Sequence, residues 1–102
     1  MHLIQILLPL SDPQKQKFPH DYFEKVREDL AKRFGGVTAF VRSPAVGLWK
    51  ESDEEISRDD VLLFEVITDR LDNDWWTSYR EQLQEKFQQD EVLIWASNIT
   101  KL

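Results

Sequence analysis

Apolar residues recur with a period of two in four segments of this chain, and with a period of three to four in two segments between them. Leu3 to Leu10 is the first alternating run. Ile4, Ile6 and Leu8 fall on one face, and Leu3, Gln5 and Leu7 on the other. Both sets are largely apolar, which predicts a central strand covered on both sides. Pro9, Ser11, Asp12 and Pro13 then supply loop chemistry. Tyr22, Phe23, Val26, Leu30 and Phe34 follow at helical spacing, predicting a helix that runs to about Phe34. Asp21 is the expected N-cap, with Glu24 three residues on as in a capping box. Gly35 suits the left-handed position that stops the helix, and Gly36 frees the chain to enter the next strand.

Val37 to Ser43 alternates again, with Val37, Ala39 and Val41 opposite Thr38, Phe40 and Arg42. Pro44 to Gly47 reads as a turn, Leu48 to Lys50 as a continuation or hairpin, and Glu51 to Asp60 as a charged loop. Val61 to Thr68 is the most regular strand. Leu62, Phe64 and Val66 share a face, while Val61, Leu63, Glu65 and Ile67 share the other, Glu65 being the lone charge. Asp72 or Asn73 caps a second helix from about Asp74 to Phe87, with Trp75, Trp76, Tyr79, Leu83 and Phe87 on its apolar side. Trp76, one step off the centre of that stripe, also suits a half-exposed partner contact. Val92 to Ile99 is the last strand, carrying Trp95, Ser97 and Asn98.

Strand, helix, strand, strand, helix, strand is the order of two strand–helix–strand halves. It predicts an α+β, ferredoxin-like βαββαβ sandwich, a four-stranded antiparallel sheet with both helices on one face. Residues 1–102 form one such domain, since 102 residues are too few for two independent cores. The uncovered sheet face would carry Leu3, Leu7, Phe40, Val61, Leu63 and Ile67. A patch that apolar is rarely left in water. A second copy packed face to face is the simplest cover, so a homodimer is expected.

Composition narrows the chemistry. A 41% hydrophobic content suffices for a core without disulfide or metal staples. The absence of cysteine removes thiol catalysis and cysteine-based zinc sites. A net charge of −6 opposes binding to a phosphate backbone, which needs concentrated Lys and Arg. RNA-recognition motifs share this topology, but their third strand displays stacking aromatics. Here that strand is Val-Leu-Leu-Phe-Glu-Val-Ile, with one Phe and an acid, so no nucleic acid partner is expected. The apolar N-terminus lacks the basic region and cleavage site of a signal peptide. No apolar run approaches the ~18 residues of a membrane span. A cytoplasmic protein without membrane contact is the expectation.

Among polar residues, Glu65 and Arg42 come first. If the second and third strands pair, both lie on the open sheet face with Gln5 nearby. A carboxylate in such apolar surroundings can act as a base or anchor a ligand, although the same two residues also suit a plain ion pair. Trp49 sits beside Gly47 in a loop, suited either to walling a pocket or to folding over the sheet edge. His20, at a helix start beside Tyr22, is a candidate ligand-binding residue able to exchange protons with the ligand, or simply a solvated residue. Two isolated histidines make no metal site, and Glu54, Glu55, Asp59 and Asp60 lack calcium-loop spacing. Ser43, Ser57 and Ser97 have no nucleophile elbow, and Gly35-Gly36 follows a helix where a phosphate loop would precede one. No cofactor is implied.

The run Phe34-Gly-Gly-Val-Thr, then Pro44-x-x-Gly-x-Trp49, then Asp60 and the strand Leu62 to Val66, resembles a family of small uncharacterised bacterial proteins. Tyr79 to Phe87, Gln89 and the strand from Val92 extend the resemblance over most of the chain. It implies a ferredoxin-like fold and transfers no catalytic residues. More remotely, the architecture is similar to the dimeric α+β barrels, including antibiotic-biosynthesis-type monooxygenases, muconolactone isomerases and stress-responsive barrel proteins. That similarity implies a cavity for small, often aromatic molecules, and it is one of fold alone. The reading is a homodimer that binds a small, partly apolar molecule, with Arg42, Glu65, Trp49 and Gln5 lining the site. Whether it is an enzyme stays open. If it is one, Glu65 is the proton acceptor in cofactor-independent chemistry. The alternative is a non-catalytic protein–protein interaction module that uses the open sheet face.

Overall fold

The computed structural model describes residues 1–42 and 61–102. Six elements follow in the expected order: β1 (His2–Pro9), α1 (His20–Phe34), β2 (Thr38–Arg42), β3 (Val61–Thr68), α2 (Asn73–Lys86) and β4 (Leu93–Asn98). The strands form one sheet in the order β2-β3-β1-β4, every neighbouring pair antiparallel. This is the ferredoxin-like arrangement, with β1 and β3 in the middle. The turn at Pro44–Gly47 and the charged loop to Asp60 lie outside the described residues.

The helix side of the sheet holds the core. Ile4, Ile6 and Leu8 from β1 and Phe64 and Val66 from β3 are buried in one cluster with Val26 and Leu30 of α1 and Trp76, Tyr79 and Leu83 of α2. These are the even positions of β1 and β3, so alternation sorted the two faces correctly. The expectation that β1 is covered on both faces holds only on the helix side. Leu3 and Leu7, on the other face, are half-buried. Both helices are spent on one face, and two helices are what a four-stranded sheet needs there.

Three local details depart from the sequence reading. Helix α1 starts at His20, with Pro19 at the cap and no side-chain cap bond. Tyr22 N–H donates to the Pro19 carbonyl at 3.0 Å, so Asp21 sits inside the first turn, where its charge faces the helix N-terminus. Glu24 bonds Arg27 instead of closing a capping box. Trp76 is 7% exposed, not a half-exposed contact. It stacks on Phe34 with centroids 5.3 Å apart, while Trp75 lies edge-on to it and takes the partly exposed place. Phe18 enters the core from the β1–α1 connection, its ring 5.0 Å from that of Phe87. A Ser11–Lys17 bridge and two backbone N–H groups bonded to the Asp12 carboxylate shape that connection.

Other caps follow the sequence. The Asp72 carboxylate accepts from Trp75 N–H at 3.1 Å, capping α2. Gly35 stops α1 at φ 83°, its N–H bonded to the Ala31 carbonyl.

The asymmetry of the two faces can be tested by truncation. Leu30→Ala, in the core, is expected to lower unfolding free energy by about 2–5 kcal/mol. Ile67→Ala, on the open face at 53% exposure, is expected to cost less than about 1 kcal/mol in the single chain. Denaturant titration of the two variants at low protein concentration reads the difference. Equal losses would mean that the open face is as tightly packed as the core.

Candidate functional site on the open sheet face

The strand registers build the open face row by row. Gln5 lies opposite Glu65 on one side and Trp95 on the other, and Thr38 lies opposite Glu65. One row therefore reads Trp95, Gln5, Glu65, Thr38 across all four strands. The neighbouring rows are Leu93, Leu7, Leu63, Phe40 on one side and Ser97, Leu3, Ile67 on the other. A polar row thus crosses an apolar face. Phe40, Ile67, Leu93 and Trp95 are 40–53% exposed, whereas Leu63, between Leu7 and Phe40 in register, is only 4% exposed.

Side chains connect the polar row. Trp95 Nε1–H donates to Gln5 Oε1 at 2.7 Å, and Gln5 Nε2–H donates to Glu65 Oε2 at 2.8 Å. Gln5 and Glu65 are both half-buried. Among the described residues, Gln5 is the side chain hydrogen-bonded to Glu65. An ionised carboxylate has about four acceptor positions on two oxygens, and Gln5 fills one of them. The row can therefore accept hydrogen bonds from a molecule laid on the apolar face.

The structure brings together two of the sequence candidates, Gln5 and Glu65. Arg42 has the same parity on β2, but its register partner is Val61, four residues along the strand from Glu65. That offset is about 13 Å at strand rise. Its side chain, and Trp49 entirely, lie outside the described residues. His20 is not at this site, because α1 covers the opposite face. It is exposed and pairs with Glu24 at 3.3 Å. The Glu24 carboxyl is held below its ordinary value chiefly by the Arg27 hydrogen bond, with His20 adding to it. Trp95 was missed as a site residue, although the alternation Leu93, Trp95, Ser97 already placed it on one face of β4. What the sequence lacked was the pairing of β4 with β1.

Two concave clefts lie elsewhere. One, of about 810 Å³, runs between Arg33 and Phe34 at the end of α1 and the Thr68–Asp74 segment. The second, of about 590 Å³, is a groove between the helices, lined by Lys25, Asp29, Trp75 and Tyr79. Arg33 explains both edges. Its guanidinium is 3.2 Å from the Asp72 carboxylate and 4.5 Å from the Trp75 ring centroid, tying the end of α1 to the cap of α2. Among the described residues, no group of three His, Cys, Asp or Glu side chains is gathered as metal ligands. No helix there is long and apolar enough to cross a membrane.

Compared with protein families, curated proteins and solved structures, the chain matches none of them. The functional reading therefore rests on the open face itself.

The groove between the helices generates one pH prediction. Burial, then the Asp29 carboxylate beside it, pushes the Tyr79 hydroxyl far above its ordinary value. In the unfolded chain a tyrosine ionises near pH ~10. Tyr79 keeps its proton in the native state well beyond that, so its contribution is complete below about pH 10 and is lost as pH rises further. Unfolding free energy measured from pH 8 to 12 is expected to fall more steeply in the parent than in Tyr79→Phe. Parallel curves would remove the assignment.

Proposed function

We propose that the chain forms a homodimer of the dimeric α+β barrel kind, sheet against sheet, and binds a small, partly apolar molecule at the Gln5–Glu65 row. The observation that carries this reading is a carboxylate set in the middle of an exposed apolar face. Four large apolar side chains on that face remain 40–53% exposed, more than isolated surface hydrophobics account for. Four strands of up to eight residues make a face of roughly 500 Å² in plan at standard strand spacings. That is of the same order as the ~800 Å² per partner of a standard interface. Dry sheet-on-sheet packing would desolvate Glu65 at a cost of several kcal/mol. A cavity holding a donor-bearing molecule against the carboxylate avoids that cost.

Gln5 and Glu65 line the site; the Arg42 side chain and Trp49, expected there from the sequence, lie outside the described residues. His20 stays outside it. If the protein is an enzyme, Glu65 takes a proton from the bound molecule without a cofactor. The exposure of Phe40, Ile67, Leu93 and Trp95 in the single chain also favours a second reading, a non-catalytic module that docks another protein on this face.

Light scattering coupled to size-exclusion chromatography distinguishes the two. The expected result is a mass twice the 12.2 kDa of the chain, constant with dilution, and converted to monomer by Ile67→Glu. A clean monomer at every concentration would overturn the dimer and leave the docking module as the reading.

A further inference from the structure

The direction of the polar row is set by chemistry. An indole N–H donates and has no acceptor, whereas a glutamine amide has one end of each kind. Trp95 therefore compels Gln5 to turn its carbonyl oxygen toward β4, at 2.7 Å. The Gln5 amino group must then face β3, where it donates to Glu65 at 2.8 Å. Glu65 accepts, so a molecule that competes at the exposed side of its carboxylate must donate. Apart from Arg42, four residues away along β2, the described positions of this face carry no cation.

We infer that Trp95 is a positioning residue for Glu65: its indole N–H fixes the Gln5 amide, which commits the site to planar apolar molecules bearing N–H donors and against carboxylates. The inference rests on the small-molecule reading given above and names the class of molecule within it. The occupant follows from charge complementarity. An amidinium or guanidinium carries two parallel N–H donors that match the two oxygens of a carboxylate, while an aromatic body lies over Leu7, Leu63 and Phe40. A carboxylate ligand meets Glu65 as a like charge, and finds the Gln5 amino group turned toward Glu65 and already engaged.

Benzamidine and benzoate make the test, because they share a ring and differ in donor against acceptor. Binding of each is measured by chemical-shift titration, following the Trp95 indole N–H and the Gln5 side-chain amide. Benzamidine is expected to bind the parent chain at least tenfold more tightly than benzoate and to shift both signals. Glu65→Gln is expected to abolish that preference. Trp95→Phe keeps a ring but removes the N–H, leaving the Gln5 amide free to turn its amino group toward an anion. The benzamidine-to-benzoate ratio is then expected to fall by roughly three- to tenfold, the loss of one or more hydrogen bonds' worth of discrimination. A purely structural tryptophan would weaken both probes alike and leave the ratio unchanged. An unchanged ratio in Trp95→Phe, with benzamidine still lost in Glu65→Gln, overturns the role of Trp95 and keeps the pocket. Failure of benzamidine to bind the parent chain overturns the pocket and this inference together.

Discussion

Burial of the even-numbered side chains of β1 beneath two helices is the interaction on which the other features depend. Ile4, Ile6 and Leu8 have almost no exposure and share a cluster with Leu30, Leu83 and Phe87. A strand shows alternate residues to opposite faces, so committing that set to the core commits Leu3, Gln5 and Leu7 to the other side. The antiparallel partners β3 and β4 obey the same parity. The open face is in this sense a by-product of the core, and its composition is fixed by the same registers.

The helix layer is held by rings more than by charges. Phe34, Trp75, Trp76 and Tyr79 form a seam between the two helices, with centroid separations of 4.7–6.1 Å. Such pairs add roughly 0.5–1.5 kcal/mol each beyond the area they bury. The Arg33–Asp72 pair at its edge has both side chains about half exposed, and solvent screening leaves such pairs a small share of the stability. The second aromatic group, Phe18, Phe23 and Phe87, closes the far end of the core. Helix packing thus leaves no demand on the open face, whose side chains are available for binding.

On that face the hydrogen bonds from Trp95 to Gln5 and from Gln5 to Glu65 place three polar groups where the surrounding rows are apolar. A half-buried carboxylate that keeps an amide donor is retained as an acceptor at modest cost, because a charge-assisted hydrogen bond offsets part of its lost hydration.

The sequence by itself determined the element order, the alternation of the first three strands and the Gly35 helix stop, and narrowed the α2 cap to Asp72 or Asn73. Each of these follows from spacing or from the chemistry of a few neighbouring residues. Gln5 and Glu65 were visible as polar interruptions of apolar faces for the same reason. The tertiary structure alone decided that Trp95 joins them, because that depends on β4 pairing with β1 across some 90 residues of chain. It also decided which of the adjacent Trp75 and Trp76 is buried: both border the apolar stripe of α2 and both meet Phe34, but Trp76 joins the buried core cluster while Trp75 packs against it from outside. Phe18 reached the core from a loop, and the left-handed turn at Gln88, φ 54°, ended α2 without a glycine. Neither leaves a periodic trace. Periodicity records which way a side chain points; which neighbour it meets is settled by burial between segments distant in sequence.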